Sequence, residues 1–339
     1  MTHPGINGEW NLPTLDDVAR VAGVSRATVS RVVNGGRLVS QRTCDAVNAA
    51  IAELGYRPNR AARALVTRRA GAVAVVVPET DDRVFSDPFF PQAYHGALAA
   101  FAGVDMQVLL AMAPPGESVA RMARYLDSGH VDGAIVISHH GPELATWLAT
   151  SAHPVVFVGD PEVPGLPYVE LDQKAAAIVA TSHLIERGAT RIATVTGPMD
   201  MNAGTSRLLG FQAALDAAGI APAGVAEGDF SVRGGELAAR RLLEEAPELD
   251  GLFVASDLMA LGALRALRRA GRRVPDDVKL VGFDNSTAAL QASPQLTTMT
   301  NPPSEMARIA GEMLLGLLSG VAPSYPVILT SELVVRNSA

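Results

Sequence analysis

TLDDVARVAGVSRATVSRVVNGG, residues 14–36, reads as two short helices joined by a tight turn. Thr14 is placed to cap the first, with Asp17 three positions on at the positive helix end, a capping-box arrangement. Leu15, Val18, Ala19 and Ala22 recur at helical spacing, and Gly23 breaks the run. Ser25 caps a second helix in which Val29, Val32 and Val33 point inward, and Asn34-Gly35-Gly36 ends it. Two helices about an Ala-Gly-Val turn make a helix-turn-helix, whose second helix enters the DNA major groove by its N-terminal end. On that reading Arg26, Ala27 and Arg31 face the bases, and Ser25, Thr28 and Ser30 sit near phosphates. Arginine can bond both O6 and N7 of guanine, which favours G-containing half-sites. The plainer alternative, a helical hairpin with a charged outer face, is disfavoured by the cap, the glycine turn and the Arg/Ser/Thr-rich second helix taken together.

A third helix is expected from about Gln41 to Leu54, capped by Ser40, with Val47, Ile51 and Leu54 closing a small core. The only cysteine, Cys44, lies on it as a passive thiol, and one cysteine allows no internal disulfide. Charge supports a separate head. Residues 1–70 hold ten arginines and five acids, +5, whereas the remainder holds 18 basic and 30 acidic residues, −12. A basic head on an acidic body suits a polyanion-binding module on a soluble domain. The 339-residue chain, 48% hydrophobic and 19% charged, has the composition of a well-cored protein of two or three domains.

The segment NRAARALVTRRA, residues 59–70, has four arginines and only Leu65 and Val66 as sizeable apolar residues. A helix so charged cannot bury a core face of its own. VARVAGVSRATVSRVVNG followed by ELGYRPNRAARAL resembles the head of the LacI/GalR family of bacterial transcription regulators. The resemblance implies that Asn59 to about Val66 is a hinge helix that folds on operator DNA beside its dimer mate. It also implies DNA contacts from Thr14, Asn34, Tyr56, Asn59, Arg60, Ala62 and Arg63, and a wedge at Leu65. An apolar side chain entering from the minor groove can unstack a base step and bend the duplex while arginines hold phosphates. A basic linker is the competing reading of 59–70.

From Gly71 the texture changes. AVAVVVP, MQVLLAM, DGAIVIS, PVVFVGD, RIATVTG, GLFVAS and VKLVGFD are short apolar strands alternating with helix-compatible stretches. This pattern indicates parallel α/β sheets, which bind ligands beyond the carboxyl ends of their strands. TSRLLGF, ASDLMALGALRAL, VPDDVKLVGFDN, QLTTMTNPPSEM and ELVVRNS continue the resemblance. The implied fold is an N-terminal all-α helix-turn-helix domain plus an α/β periplasmic-binding-protein-like core of two parallel-sheet subdomains, the chain crossing between them three times. The expected division is an arm at 1–13, the head at 14–58, the hinge helix and linker at 59–70, and the core at 71–339. Within the core the N-subdomain takes 71–170 and 300–329, and the C-subdomain 171–299 and 330–339.

The resemblance also implies a small effector between the subdomains. Arg207 matches the family's pocket arginine and Asp284 an acidic contact, suited to adjacent sugar hydroxyls. Ser256 and Asp257 stand at an Asn-Asp position, so serine replaces asparagine here. Phe89, Phe90 and Phe230 match aromatic walls against a sugar ring or base, and Asp160 and Asn301 are further contacts. Purine-responsive members carry a basic residue six positions before the pocket arginine; Met201 stands there, which favours a carbohydrate or derivative. Of the adjacent His139 and His140, which point to opposite sides of a strand, His140 is the one expected to line the cleft. No metal-ligand spacing accompanies them.

The leading expectation is a homodimeric, effector-controlled regulator, most simply a repressor, reading a pseudo-palindromic operator in double-stranded DNA. The alternative is a solute-binding protein of a transport system, which would need a signal peptide and no helix-turn-helix. The opening residues lack a basic and an apolar signal region, and no run reaches the length of a membrane span; a cytoplasmic protein is expected. Walker A, G-x-S-x-G and H-E-x-x-H are absent, so neither catalysis nor a cofactor is expected. Arg-rich ALRALRRAGRR, residues 263–273, reads as the solvated face of an amphipathic helix.

Overall fold

The computed structural model describes residues 13–33, 39–56, 69–112 and 119–339, in two compact units, 1–70 and 71–339. In the first, α1 (Leu15–Ala22), α2 (Arg26–Val33) and α3 (Gln41–Leu54) surround a small core. The Thr14–Asp17 capping box is present in both directions, and Gly23 ends α1 at φ +65°, a left-handed conformation that costs a residue without Cβ nothing. Ser25 Oγ accepts from Thr28 N at 3.2 Å to open α2, and Ser40 caps α3. One valine from each helix, Val18, Val29 and Val47, is wholly buried. Each contributes about 1.5–2 kcal/mol by leaving water. Leu15, Ala22, Val32, Val33, Ile51 and Leu54 pack around them, partly buried.

The second unit holds two six-stranded sheets. The first combines β1 (Ala72–Val77), β2 (Gln107–Met112), β3 (Gly133–Ile137), β4 (Val155–Val158), β5 (Tyr168–Leu171) and β11 (Val327–Leu329), in the order β11-β5-β4-β3-β1-β2. The second combines β6 (Ile192–Thr196), β7 (Gly224–Glu227), β8 (Gly251–Val254), β9 (Lys279–Asp284), β10 (Thr297–Thr300) and β12 (Leu333–Val334), in the order β12-β10-β9-β8-β6-β7. Among the described residues every pairing is parallel except β10 with β12. Helices cover both faces, so β1, β3, β4 and β8 are buried end to end and read as unbroken apolar runs.

The chain changes sheet after β5, after β10 and between β11 and β12. The last β5 and β10 residues are Leu171 and Thr300, one position beyond the expected division at 170 and 299. α8 (Gln173–Glu186), after the first crossing, packs on the second sheet, and α13 (Pro303–Leu318), after the second, packs on the first. α13 lies against α5 (Phe89–Ala100) closely enough that a Cβ on Gly96 would come within 1.9 Å of the Ser304 carbonyl oxygen. Only glycine allows that approach.

The remaining helices among the described residues are α4 (Asp81–Ser86), α6 (Val119–Asp127), α7 (Glu143–Thr150), α9 (Asn202–Ala218), α10 (Val232–Glu245), α11 (Asp257–Arg269) and α12 (Thr287–Gln291). The arginines around the end of α11 lie on an exposed face, as the sequence suggested, with Arg265, Arg268, Arg269 and Arg273 all exposed. Arg269 pairs with Glu236, Arg273 with Asp277, and Arg272 donates to the carbonyls of Pro247, Leu249 and Asp277. Arg269 thus reaches α10, and Arg272 ties the turn after α11 to the loop before β8.

Candidate functional site

The carboxyl ends of both sheets converge on one cleft within the 71–339 unit. Its walls include Arg83, Asp87, Phe89, Ser138, His139 and Glu170 from the first subdomain's segments. Gln173, Asn202, Arg207, Phe230, Ser256, Asp284 and Asn301 come from the second and its crossings. Three of these residues, Ser138 (φ +60°), Phe230 (φ +61°) and Asp284 (φ +108°), hold left-handed backbone without being glycine. Such strain persists where surrounding structure fixes it and is concentrated at functional sites.

Arg207 is buried on α9, and each edge of its guanidinium has a task. Nε donates to Gln173 Oε1 at 2.9 Å and Nη1 to the Ala255 carbonyl at 2.5 Å. The plane sits over the Phe283 ring, 3.6 Å from its centroid, and Nη2 faces Asp284 Oδ1 at 4.0 Å. Burial lowers the pKa of Arg207, and the Asp284 charge works against that. Asp284 also accepts from Asn301 Nδ2 at 3.0 Å; burial pushes its carboxyl up to about 7 despite the pull of Arg207. Asn301 Oδ1 is buried without a hydrogen-bond partner, an acceptor left for a donor in the cleft.

Phe230 packs over Gly197, where a Cβ would meet the ring at 2.1 Å. Two guanidinium groups approach the ring, Arg83 at 5.1 Å and Arg207 at 5.8 Å. Phe89 supplies a second aromatic wall. Glu170, almost fully buried, accepts from Asp160 N at 3.1 Å, and burial followed by the Asp160 charge pushes it up to about 8. Burial likewise raises Asp87, whose carboxylate accepts from Phe89 N at 2.9 Å. The cleft is therefore rich in carboxyls, and its two arginines are only partly engaged: Arg83 Nη1 pairs with Glu79 at 2.5 Å while its Nε is buried without a hydrogen-bond partner.

The sequence-derived set needs correction at several positions. Phe90 is core, 4% exposed and edge-on to Phe89 at 5.3 Å; adjacent helix positions point about 100° apart, so only one can face the cleft. Asp257 is wholly buried and accepts from Thr298 Oγ1 at 2.7 Å and Ser286 N at 2.7 Å, bracing the ends of β9 and β10. Ser256 lines the cleft, yet its Oγ also caps α11 through Met259 N at 3.2 Å. Asp160 lies outside the lining and turns its own loop by accepting from Glu162 N at 2.8 Å. His139, rather than His140, lines the cleft; its Nδ1 is buried and unpartnered, and burial lowers its pKa. Arg83, Asp87, Ser138, Glu170, Gln173 and Asn202 were missed. A legible signal was Glu170, the single acid in the otherwise apolar strand YVEL.

In the head, Arg26, Ala27 and Arg31 are exposed on α2, and Thr28 and Ser30 are half-buried beside them. Arg26 approaches Asp16 at 3.6 Å with both side chains largely exposed, a pairing worth little in water. Thr14 and Ser25 are occupied as helix caps. Tyr56 is not on the surface: it is 7% exposed and completes the head core. Asn34, Asn59, Arg60, Ala62, Arg63 and Leu65 lie outside the described residues. Among the described residues no cluster of His, Cys, Asp and Glu could hold a metal ion, and no helix is long and apolar enough to cross a membrane.

A helix-turn-helix head on a two-sheet core with an intervening cleft defines a DNA-binding transcriptional regulator of the periplasmic-binding-protein-like class. Residues 14–59 match the profile of bacterial regulatory proteins of the lacI family, and residues 181–339 that of a periplasmic binding protein-like domain. The chain is 44% identical to the transcriptional regulator CelR of Thermobifida fusca, over 96% of this chain and 98% of that one. It is 31% identical to the ribose operon repressor of Halalkalibacterium halodurans, over 96% and 97%. Among solved structures it is similar to a CelR–cellobiose complex (41% identity, 96% of this chain and 100% of that one, TM-score 0.76). It is also similar to the lac repressor dimer bound to operator and the anti-inducer ONPF (28% identity, 96% and 98%, TM-score 0.86). The chain belongs to the lacI family of transcriptional regulators.

Proposed function

We propose that this protein is a homodimeric repressor that binds a pseudo-palindromic operator and is controlled by a neutral β-linked glucose oligosaccharide, cellobiose being the first to test. The observation that carries the effector reading is the set of groups in the cleft. Aromatic walls Phe89 and Phe230 suit apolar sugar ring faces, while Arg207, Asp284 and Asn301 suit hydroxyl edges. The carboxyls of Asp87, Glu170 and Asp284 around the cleft argue against a sugar phosphate, whose dianion would be brought out of water beside them. The similarity to the CelR–cellobiose complex supports the same ligand class.

A dimer is supported by the outer edge of the first sheet. β2 is an edge strand with exposed Leu109 and Leu110, and Leu98 and Phe85 are exposed in the same subdomain. Uncovered apolar edges pair with other chains, and a second copy covers this one. Effector binding changes the relation between the subdomains and thereby the operator affinity, with a coupling of about 1–3 kcal/mol.

The test uses the full-length protein, an operator found by in vitro selection, and titrations of cellobiose, glucose 6-phosphate and a purine nucleoside. Cellobiose is expected to bind, the other two are not, and cellobiose is expected to alter operator affinity about five- to 150-fold. Cellobiose that fails to bind, or binds without changing operator affinity, sinks the reading.

A further inference from the structure

One carboxylate anchors two side chains that reach from the first subdomain to the second. Glu79, nearly fully buried just after β1, presents Oε1 to Arg83 Nη1 at 2.5 Å, Ser138 Oγ at 2.7 Å and His140 Nε2 at 3.0 Å. From this anchor Arg83 reaches the Phe230 ring. The other arm is His140, whose Nδ1 lies 2.9 Å from Asp200 Oδ2 in the loop after β6. The backbone reinforces that crossing, with Gly141 N donating to the Asp200 carbonyl at 2.7 Å. Neither Glu79, His140 nor Asp200 is part of the cleft lining.

Both ring nitrogens of His140 face carboxylate oxygens. A neutral imidazole carries one N–H and satisfies only one of them, setting lone pair against lone pair at the other. The imidazolium donates to both. Of the surrounding charges, Glu79 and Asp200 each contact the His140 ring and favour its imidazolium, Glu227 lies beside the Asp200 loop, where it accepts from Met199 N, and Arg83, which shares Glu79 Oε1, works against them; His139 is the neighbour in sequence.

We infer that Glu79, His140 and Asp200 form a proton-controlled latch that holds the two subdomains together and sets how tightly the effector is kept. This rests on the cleft being the effector site. Opening the cleft removes Asp200 from His140 and leaves only Glu79. The pKa of His140 in the latched form is raised, by the hydrogen bond to Glu79 first and by that to Asp200 as well. The latched form thus holds the proton more tightly than the open form. Latching is strongest below the ordinary histidine range and is lost as pH rises through the raised value.

Two measurements on the full-length protein test it. The first follows the His140 ring by NMR across pH without ligand, its resonance assigned with His140→Gln. His140 is expected to titrate above the ordinary value and to move down in Asp200→Asn, a substitution at an exposed position. An unchanged titration in Asp200→Asn overturns the latch, whether or not cellobiose binds. The second is calorimetric titration with cellobiose from pH 5.5 to 8. Affinity is expected to fall several-fold with rising pH in the native protein, and this slope is expected to flatten in Asp200→Asn and His140→Gln. Parallel slopes in all three proteins also overturn it. Absence of cellobiose binding at every pH would fail the effector reading and leave the NMR result to judge the latch.

Discussion

Arg207 and Asp284 face each other at 4.0 Å, Nη2 to Oδ1, too far for a hydrogen bond and near enough for attraction. Arg207 cannot close the gap on its own, because Gln173 and the Ala255 carbonyl hold its other edges and Phe283 lies beneath its plane. The opening accommodates a hydroxyl that receives from the arginine and donates to the aspartate. Such an arrangement is fixed before the ligand arrives, so little ordering cost falls on binding.

Arg207→Ala is therefore expected to weaken cellobiose binding by about 2–3 kcal/mol, roughly 30- to 150-fold, as the loss of a buried charged donor does. Calorimetry checks the affinity. The fold should tolerate the change better than a buried-charge deletion normally allows, because Asp284 already sits near neutrality and can take up a proton. A melting temperature reduced by more than several degrees would show that the arginine is chiefly structural.

Gly197→Ala probes the aromatic wall without touching a polar group. The added methyl meets the Phe230 ring at 2.1 Å, and the ring must shift or the backbone must give, typically at a cost of about 1–3 kcal/mol. Sugar affinity should fall while operator binding by the ligand-free protein is retained. Equal loss of both would show that Phe230 supports the core rather than the ligand.

The contrast between Phe89 and Phe90 shows what the sequence could reveal. The α/β architecture was legible because parallel strands with helices on both faces are largely apolar, and each of the seven apolar runs became a strand, β2 at the exposed sheet edge included. Arg207 and Asp284 were legible through the motifs around them. Which of two adjacent phenylalanines faces the cleft depends on the rotation of α5, and that is set by Gly96 against Ser304, a contact some 200 positions apart in sequence. Arg83 and Asp87 come from one short segment and Glu170 and Gln173 from another some 80 positions on, and the two become neighbours only when the sheet assembles. Asp257 was misread for a related reason: a polar residue at a strand end serves a ligand or the next loop equally well, and here Thr298 and Ser286 take it.

Glu170 gives a pH prediction. Its folded pKa is raised, from 4.5 to about 8, so the native state holds the proton longer than the unfolded chain. The ligand-free core should be most stable below about pH 4.5 as far as this group is concerned, and should lose stability as pH rises towards 8, by a few kcal/mol at most. Glu170→Gln should flatten that decline. Chemical denaturation at pH 5, 6.5 and 8 measures both slopes, and identical slopes would show that Glu170 is ionised in the native core.

The head gives the final prediction, because two substitutions should separate reading from bending. Arg31, exposed on α2, is expected to contact a base edge. Arg31→Ala should cost about 1–3 kcal/mol on a selected operator and relax preference at one position of each half-site. Leu65 is expected to act differently, by unstacking a base step from the minor groove. Leu65→Ala should weaken binding across all sequences and reduce the bend measured by fluorescence energy transfer between labelled DNA ends. An apolar side chain makes no counter-ion exchange, so the salt dependence of binding should stay unchanged in Leu65→Ala. Should Leu65→Ala leave the bend intact, residues 59–70 act as a basic tether to the phosphates, and the arginines flanking Leu65 would then account for the binding energy of this segment.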